Sequence, residues 1–360
     1  MVGAERRALS ARDDGRSALS ARDDGGGALS GAKPERLDRF MARAAAAYYA
    51  ARDPFGAKGD FTTAPEISQA FGECLGLWAA VVWQQLGSPG RVLLVELGPG
   101  RGTLMADALR AAAMVPAFRA ALAVHFVEQS PVLRAAQAAR VPGATWHADM
   151  ATLPPGPAIV LGNEFLDALP IRQFVRRGGG WLERHVLDGG FVEVPGGHPA
   201  LPDAAPEGAV QEVGEAALAV CTALGERFRH APGAALLLDY GPAESAFGDS
   251  LQAMRAHGRA DPLAEAGSVD VTAHVDFAAC ARAAAAAGAA IYGPLPQGLF
   301  LQRLGLVSRA AVLARSNPRQ AGEVLSAAQR LVAPEAMGQL FKALCLCHAG
   351  LPTPPGFEAA

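Results

Sequence analysis

The segment over residues 91–109 constrains the fold of this chain more than any other. It runs from a short apolar stretch at 91–97 (RVLLVEL), through a glycine-rich loop at 98–102 (GPGRG), to the start of a helix at 103–109 (TLMADAL). Nearly continuous apolar stretches of this length are typical of parallel strands buried on both faces. Glycines at the turn allow a sharp bend and a close approach to a ligand. The segment predicts a strand, a ligand-binding loop and a helix of an α/β sheet.

The alternation of strands and helices continues along the chain, which implies right-handed βαβ units and a mostly parallel sheet. Two short β-like runs around a triple glycine at 178–180 predict a hairpin, and the stretch rich in Pro and Gly over 189–208 predicts an insertion loop. We expect helices to dominate after residue 241. The remaining strands are expected over 124–128, 144–147, 158–161 and 234–238, and the helices over 34–51, 67–86, 131–140, 210–228, 275–287 and 318–331.

With 360 residues the chain exceeds the usual size of one domain, and 51% hydrophobic residues are enough for a sizeable core. A ten-residue repeat at the N-terminus is too short for a solenoid unit, so we interpret it as a disordered tail, with a partner-binding peptide as the alternative. The expected parts are a tail (1–31), an N-terminal helical segment or lid (32–88), a Rossmann-like cofactor core (89–188), an insertion and helix (189–233), the remaining sheet with a C-terminal helical lobe (234–348), and a tail (349–360).

Composition excludes several classes of function. A net charge of -3 gives no reason to expect nucleic acid or an anionic membrane as partner. Five cysteines, odd in number and without C-x-x-C spacing, suggest neither zinc nor a disulfide framework. Apolar runs fall short of the roughly 20 residues that a membrane helix needs, so we expect no membrane insertion. We expect the cytoplasm if the chain is bacterial and the mitochondrial matrix if it is eukaryotic.

The loop at 98–102 is a candidate cofactor site. Glu96, Gly98, Gly100, Gly102 and Thr103 lie where the first strand passes into the first helix. The N–H groups of that helix can bind an anion such as the methionine carboxylate of S-adenosylmethionine. Nicotinamide enzymes carry G-x-G-x-x-G instead, and here the third glycine comes one residue early. Such a loop alone is weak evidence, because many strand-to-helix turns are purely structural.

Two acids strengthen the cofactor hypothesis. Glu128, followed by Gln129, ends the second strand, where a carboxylate can bind both ribose hydroxyls of an adenosine. Asp149, followed by Met150, comes after the third strand, where adenine would lie. Each acid alone is more often a solvated loop residue, but ligands of such sheets bind at the carboxyl ends of the strands. The three sites together predict a nucleoside cofactor.

Polar residues at the end of the fourth strand predict the binding site of the group that accepts the methyl group from the cofactor. Asn163, Glu164 and Asp167 would lie at the mouth of the cofactor pocket, where carboxylates suit a planar guanidinium. The alternative is a polar strand end with Asp167 capping a helix. His274 is a candidate proton acceptor or else a structural hydrogen-bonding residue. Residues 59–66 (GDFTTAPE) are a candidate lid, with Thr63 near the cofactor, or a capping box formed by Thr63 and Glu66.

These motifs resemble one family. They are GDFTTAPE (59–66), ELGPGRGT (96–103), NEFLDALP (163–170), DSLQA (249–253), TAHVDF (272–277), GPLPQG (293–298) and MGQLFK (337–342). In this order, over nearly the whole chain, they resemble the MidA family, also known as the DUF185 methyltransferases. The resemblance implies a class I S-adenosylmethionine-dependent methyltransferase fold, Rossmann-like with an added helical lobe and insertions, which releases S-adenosylhomocysteine. It also implies a protein arginine as acceptor, in the mitochondrial member an arginine of a core NADH dehydrogenase subunit.

Three functions remain open from the sequence. The first is methyl transfer from S-adenosylmethionine to a protein arginine. The second is an assembly factor or chaperone that uses a methyltransferase fold as a docking surface, which the intact glycine and acid motifs argue against. The third is methylation of a small molecule. The sequence leaves the oligomeric state open, a homodimer included, because the helix carrying Trp78 fits an interface and a core position equally well.

Overall fold

The computed structural model describes residues 33–51, 62–255, 258–264 and 266–359. The predicted N-terminal tail and residues 59–61 of the candidate lid lie outside this part of the chain. The strands are β1 (Glu35–Arg36), β2 (Val92–Leu97), β3 (Leu122–Val127), β4 (Thr145–His147), β5 (Ala158–Asn163), β6 (Arg172–Arg177), β7 (Gly180–Leu187), β8 (Gly190–Pro195), β9 (Val210–Val213), β10 (Gly233–Tyr240), β11 (Gln252–Arg255), β12 (Gly258–Ala260), β13 (Asp270–Thr272), β14 (Ala290–Pro296) and β15 (Phe341–Cys347). The helices are α1 (Leu37–Ala51), α2 (Ala64–Ile67), α3 (Gln69–Gln85), α4 (Thr103–Ala112), α5 (Pro116–Ala121), α6 (Pro131–Arg140), α7 (Glu215–His230), α8 (Phe277–Ala286), α9 (Gln297–Arg303), α10 (Leu306–Ser316) and α11 (Ala321–Val332).

A seven-stranded sheet in the order β14-β15-β10-β5-β2-β3-β4 forms the centre of the molecule. The pairs β10–β5, β5–β2, β2–β3 and β3–β4 are parallel. Strand β15 lies between β10 and β14 and is antiparallel to both. The expected mostly parallel α/β sheet is therefore confirmed, and the carboxyl ends of five strands share one edge.

Two hydrophobic layers cover the faces of this sheet. On one face α3, α4 and the C-terminal helices pack against it, with Trp78 only 1% exposed. On the other face α7 and α8 pack through residues such as Phe228 and Phe277. The Trp78 helix therefore belongs to the core, and the interface interpretation of that helix is wrong. Among the described helices, none is long and apolar enough to cross a membrane.

The region after β5 contains more strand than expected. The hairpin is confirmed as β6 and β7, which pair across Gly178 and Gly179. The expected insertion loop contains β8, which pairs with β7, and the expected helix over 210–228 begins instead with β9, which pairs with β6. Helix α7 starts only after Gly214. Strand β8 follows a tight hairpin turn at Asp188 and Gly189, whose φ values are 49° and 74°, so a local signal for it was present and was overlooked. Strand β9 depends on its pairing with β6, which lies much earlier in the chain.

Helices cover more residues than strands after residue 241, as expected, but the five strands in this region were not predicted. Strands β11, β12 and β13 form a small antiparallel sheet, and β14 and β15 complete the central one. Every residue of β15 is buried, as is typical of a strand covered on both faces. Helices α9, α10 and α11 nevertheless form the expected C-terminal helical part beside this sheet.

Candidate functional site

The glycine-rich loop adopts a conformation that favours glycine. Gly98, Gly100 and Gly102 have φ angles of 59°, 51° and 77°, in the left-handed region. A Cβ atom at Gly98 would lie 2.7 Å from Cδ2 of Phe165. The loop passes directly into α4, and the Met105 N–H in the first turn of this helix bonds to Glu96. The predicted strand, loop and helix are confirmed.

Glu96 lies at the end of β2 and lines a cavity above the loop. Its side chain is 3% exposed, and burial raises its pKa well above the ordinary value for a glutamate. The Oε2 atom accepts no hydrogen bond from any described residue. Because a buried acceptor without a donor is costly, this oxygen suits a ligand that brings a donor, such as the ammonium of a methionine moiety.

Glu128 is connected to the glycine-rich loop through Gln137, a fully buried residue of α6 that the sequence did not single out. The Gln137 Nε2 atom donates to the carbonyl oxygen of Gly100 at 2.7 Å and to Oε2 of Glu128 at 3.2 Å. Trp146 in turn donates to Oε1 of Gln137 at 2.8 Å. Burial raises the pKa of Glu128, against the lowering effect of the Ser130 N–H and Gln137. One amide therefore fixes the predicted ribose acid relative to the loop.

The predicted adenine residues lie outside the cavity lined by the glycine-rich loop. Asp149 is exposed and begins a short 3₁₀ turn, where its Oδ1 accepts from Ala151 N at 2.8 Å. Gln129 Nε2 donates to the carbonyl oxygen of Ala148 at 3.3 Å and so joins this loop to the one after β3. Met150 is partly buried behind them. Both loops follow the carboxyl ends of neighbouring strands, and their contact with adenine stays a prediction.

The described part of the candidate lid contacts both the end of β5, at Glu164, and the start of α4, at Thr103. Thr63 lines the cavity, and Ala64 N donates to Oε1 of Glu164 at 2.9 Å. The expected capping box is not formed, because Thr63 makes no side-chain capping bond and Glu66 instead accepts from the Thr103 hydroxyl. Arg101 and Arg140 lie 3.9 and 3.8 Å from the Glu66 carboxylate. This segment is thus held against the first turn of α4.

The strand end after β5 presents acceptor atoms to the same cavity. Asn163 Nδ2 donates to Oε1 of Glu164 at 3.0 Å, and Asn163 Oδ1 is buried with no donor among the described residues. Glu164 has a φ of 49°, a conformation rare for a residue with a side chain and often found at functional sites. Burial raises its pKa to about 7, and repulsion from Asp167 adds to the rise.

Asp167 is 7% exposed, and its Oδ1 accepts no hydrogen bond within the described structure. Burial raises its pKa to about 6, opposed by the nearby Tyr240 hydroxyl. The alternative role for Asp167, a cap of the next helix, is not realised. Asp239 holds this loop instead, since its Oδ2 accepts the N–H groups of Phe165, Leu166 and Asp167 at 3.0, 2.8 and 3.2 Å.

The small sheet closes the far side of the cavity with residues that the motifs did not assign to it. Tyr240 donates to the Thr272 hydroxyl at 2.7 Å, and Tyr49 donates to Oδ1 of Asp270 at 3.1 Å. The latter two residues are separated by 221 positions, which no local pattern reveals. His274, a candidate proton acceptor, lies outside this cavity on the other side of Tyr240, with ring centroids 5.5 Å apart.

The residues present fit S-adenosylmethionine. The left-handed glycines provide a cradle, Glu96 provides an unpaired buried acceptor, and Glu128 lies one side chain away from the loop. When bound, the cofactor supplies a methyl group on a positively charged sulfur. Glu164, Asp167 and Asn163 line the same cavity, and their contact with the methyl acceptor stays a prediction.

The family comparison agrees with this geometry. Residues 74–295, well over half of the chain, match the family described as "Putative S-adenosyl-L-methionine-dependent methyltransferase". The chain is 35% identical over 362 residues to the mitochondrial protein arginine methyltransferase NDUFAF7 homolog of Drosophila melanogaster, with 87% of this chain and 80% of the relative covered. It is 34% identical over 355 residues to the human protein arginine methyltransferase NDUFAF7, with 87% and 79% covered.

Solved structures show the same fold. A Burkholderia thailandensis protein bound to S-adenosyl-homocysteine superposes with a TM-score of 0.76 at 28% identity, over 90% of both chains. A native crystal structure from the same organism gives a TM-score of 0.75 at 29% identity. From its motifs, its cavity and these relatives, the chain belongs to the MidA, or DUF185, family of S-adenosylmethionine-dependent methyltransferases.

Proposed function

We propose that this methyltransferase modifies the guanidino group of an arginine in a protein substrate. The observation that carries the proposal is an excess of acceptors at the end of β5. Asn163 Oδ1 and Asp167 Oδ1 are both buried without a donor among the described residues, beside the carboxyl group of Glu164. A guanidinium offers five N–H donors in one plane and a positive charge, so it satisfies acceptors that a neutral ligand with fewer donors leaves unpaired.

The two carboxyl groups also suit the proton balance of the reaction. A guanidino nitrogen forms its new bond to the methyl carbon as the carbon–sulfur bond breaks, and the proton lost from that nitrogen passes to a carboxylate. Glu164, with a pKa of about 7, can accept this proton near neutral pH. Asp167 remains beside it to stabilise the positive charge before the proton leaves.

The relatives support the choice of acceptor, since those from Drosophila melanogaster and human are named protein arginine methyltransferases. We extend the proposal to an arginine of a core NADH dehydrogenase subunit, as the family resemblance implies, and to the mitochondrial matrix or the bacterial cytoplasm as the compartment. The Trp78 side chain lies in the core and gives no support to a homodimer interface.

Incubation of the purified chain with S-adenosylmethionine labelled in the methyl group tests this function. The substrates come from an extract of cells that lack this protein. One sample of the extract is used whole, and a second is used after its small molecules have been removed. We expect label in protein, recovered as methylarginine after acid hydrolysis and located by mass spectrometry. Label only in the small-molecule fraction would replace the proposal with small-molecule methylation. Tight cofactor binding without any transfer would favour the assembly-factor function.

The reaction is expected to depend on pH through Glu164. A carboxyl group whose pKa is raised to about 7 is protonated below that pH and charged above it, so kcat/KM should rise between pH 6 and pH 8 and then level off. NMR of ¹³C-labelled glutamate should show the Glu164 carboxyl titrating near pH 7. In Asp167→Asn that titration should move to lower pH, because the repulsion from Asp167 is removed. An unchanged midpoint would contradict the coupling.

A further inference from the structure

A second cavity, of about 840 Å³, lies directly behind the acceptor side of the site. Neighbouring residues point to opposite sides of the wall between the two cavities. Asp167, Tyr240 and Thr272 line the first cavity, and Leu166, Gly241 and Ala273 line the second. The wall is one layer of backbone thick, held by bonds such as Ala273 N to Asp167 O at 3.0 Å. A ligand in the second cavity therefore lies close to the acceptor carboxylates.

The second cavity contains a buried cation without a carboxylate partner. Lys342, at the start of β15, is 8% exposed, and among the described residues its Nζ atom donates to the carbonyl oxygens of Gln339 and Leu340 alone, at 2.6 and 3.0 Å. Within the described ranges no carboxylate lies within 4.0 Å of that nitrogen. Burial lowers the pKa of Lys342, and a bound anion would raise it again. Arg282, exposed at the same cavity, donates to the Ser245 hydroxyl and forms no ion pair with a described residue.

The carboxylates that line this cavity are already engaged by other donors. Glu212 accepts from Gln173 Nε2 at 2.7 Å and from the Ser250 backbone N–H at 3.0 Å. Asp276 accepts from the Ala279 N–H and the Ser245 hydroxyl at 2.8 and 2.9 Å, as the N-cap of α8. Neither is available to Lys342. The two carboxylates balance the charge of Lys342 and Arg282 in number, but Lys342 has no carboxylate partner among the described residues, so it favours a ligand that brings an acidic side chain to it.

The rim of the cavity is apolar. Phe247 is 42% exposed and Leu340 is 48% exposed, and both line the cavity beside the charged groups. Exposed large apolar side chains next to a charged pocket are typical of surfaces that bind peptides or proteins. A free inorganic anion would gain nothing from them, so this rim favours a polypeptide ligand.

We propose that the second cavity binds a segment of the substrate protein next to the acceptor arginine, and that an acidic side chain of that segment pairs with Lys342. This inference rests on the proposed function, since it assumes a protein substrate. The site would select arginines with an acidic residue nearby in the sequence or in the fold. Lys342 then acts on substrate affinity and leaves the chemical step unchanged.

The test compares two synthetic arginine peptides that differ only in having Asp and Glu or Asn and Gln at the positions flanking the arginine. Binding to the full chain saturated with S-adenosylhomocysteine is measured by fluorescence anisotropy. We expect the acidic peptide to bind about tenfold more tightly, the effect of a charge-assisted hydrogen bond, and the preference to shrink at high salt. Lys342→Met should remove the preference without changing cofactor affinity.

Arg315→Met serves as the matched control, because it removes an exposed cation on α10 and should keep the preference. Thermal unfolding checks that each variant is folded, and Arg282→Gln, which should weaken the preference in part, replaces Lys342→Met if that variant does not fold. Equal binding of the two peptides by the unchanged chain, or a full preference in Lys342→Met, would overturn the proposal. A preference that depends on Lys342 but without arginine methylation would uphold the docking site and reject the proposed function.

Discussion

Replacing Glu164 and Asp167 together by their amides should lower methyl transfer at least about 100-fold, the cost of losing a major electrostatic contribution to a transition state. The change Glu164→Gln keeps an oxygen for the Ala64 N–H, which Glu164 Oε1 now accepts at 2.9 Å. Asp167→Asn likewise keeps one oxygen of the two. The double variant thus removes charge and proton acceptance while it preserves the shape of the loop. Initial rates with labelled cofactor measure the loss.

Cofactor binding separates this effect from general damage. Calorimetric titration with S-adenosylmethionine should give a dissociation constant within about threefold of the unchanged chain, because Glu96 and the glycine-rich loop are unaltered. The amides should not lower the unfolding temperature above pH 7, because both pKa values are raised and the buried charges are unfavourable there. Glu226→Gln, an exposed change on α7, is the matched control and should keep full activity. Full activity in the double variant would mean that the acceptor lies elsewhere.

The parts of the fold that follow from the sequence are those with strong local signals. The apolar stretch of β2, the glycine-rich loop and α4 were predicted nearly to the residue, because a buried parallel strand and a glycine turn each have a distinctive composition. Helix α6 was predicted with its observed bounds, since Pro131 at its first position and Ser130 before it mark its start. These elements together place Glu96 and Glu128 at one edge of the sheet.

The parts that were missed depend on distant partners. The sequence of β15 does not alternate between apolar and polar residues, so it is equally compatible with a buried helix. Only its pairing with β10 and β14 decides its conformation. Gln137 looks like an ordinary helix residue, and only the folded structure shows it bonded to Gly100 and Glu128. The capping box predicted at Thr63 failed because Glu66 has a better partner in Thr103, which lies 37 residues further along the chain.

The largest effect on the cofactor half of the site is expected from Gly98→Val. A β-branched side chain at a φ of 59° is strained, and its Cβ would lie 2.7 Å from the ring of Phe165. Phe165 belongs to the loop that carries Glu164 and Asp167, so a shift of its ring would also act on this loop.

We expect the dissociation constant for S-adenosylmethionine to rise at least about 100-fold in Gly98→Val, or about 2.7 kcal/mol, with a parallel loss of activity. Gly90→Val is the matched control, because no atom lies within 4 Å of the Cβ position at this exposed glycine just before β2. It should bind the cofactor as the unchanged chain does. Circular dichroism on both variants separates a blocked loop from an unfolded domain. Normal cofactor binding by a folded Gly98→Val protein would remove the glycine-rich loop from the cofactor site and leave Glu128 and Asp149 as its remaining candidates.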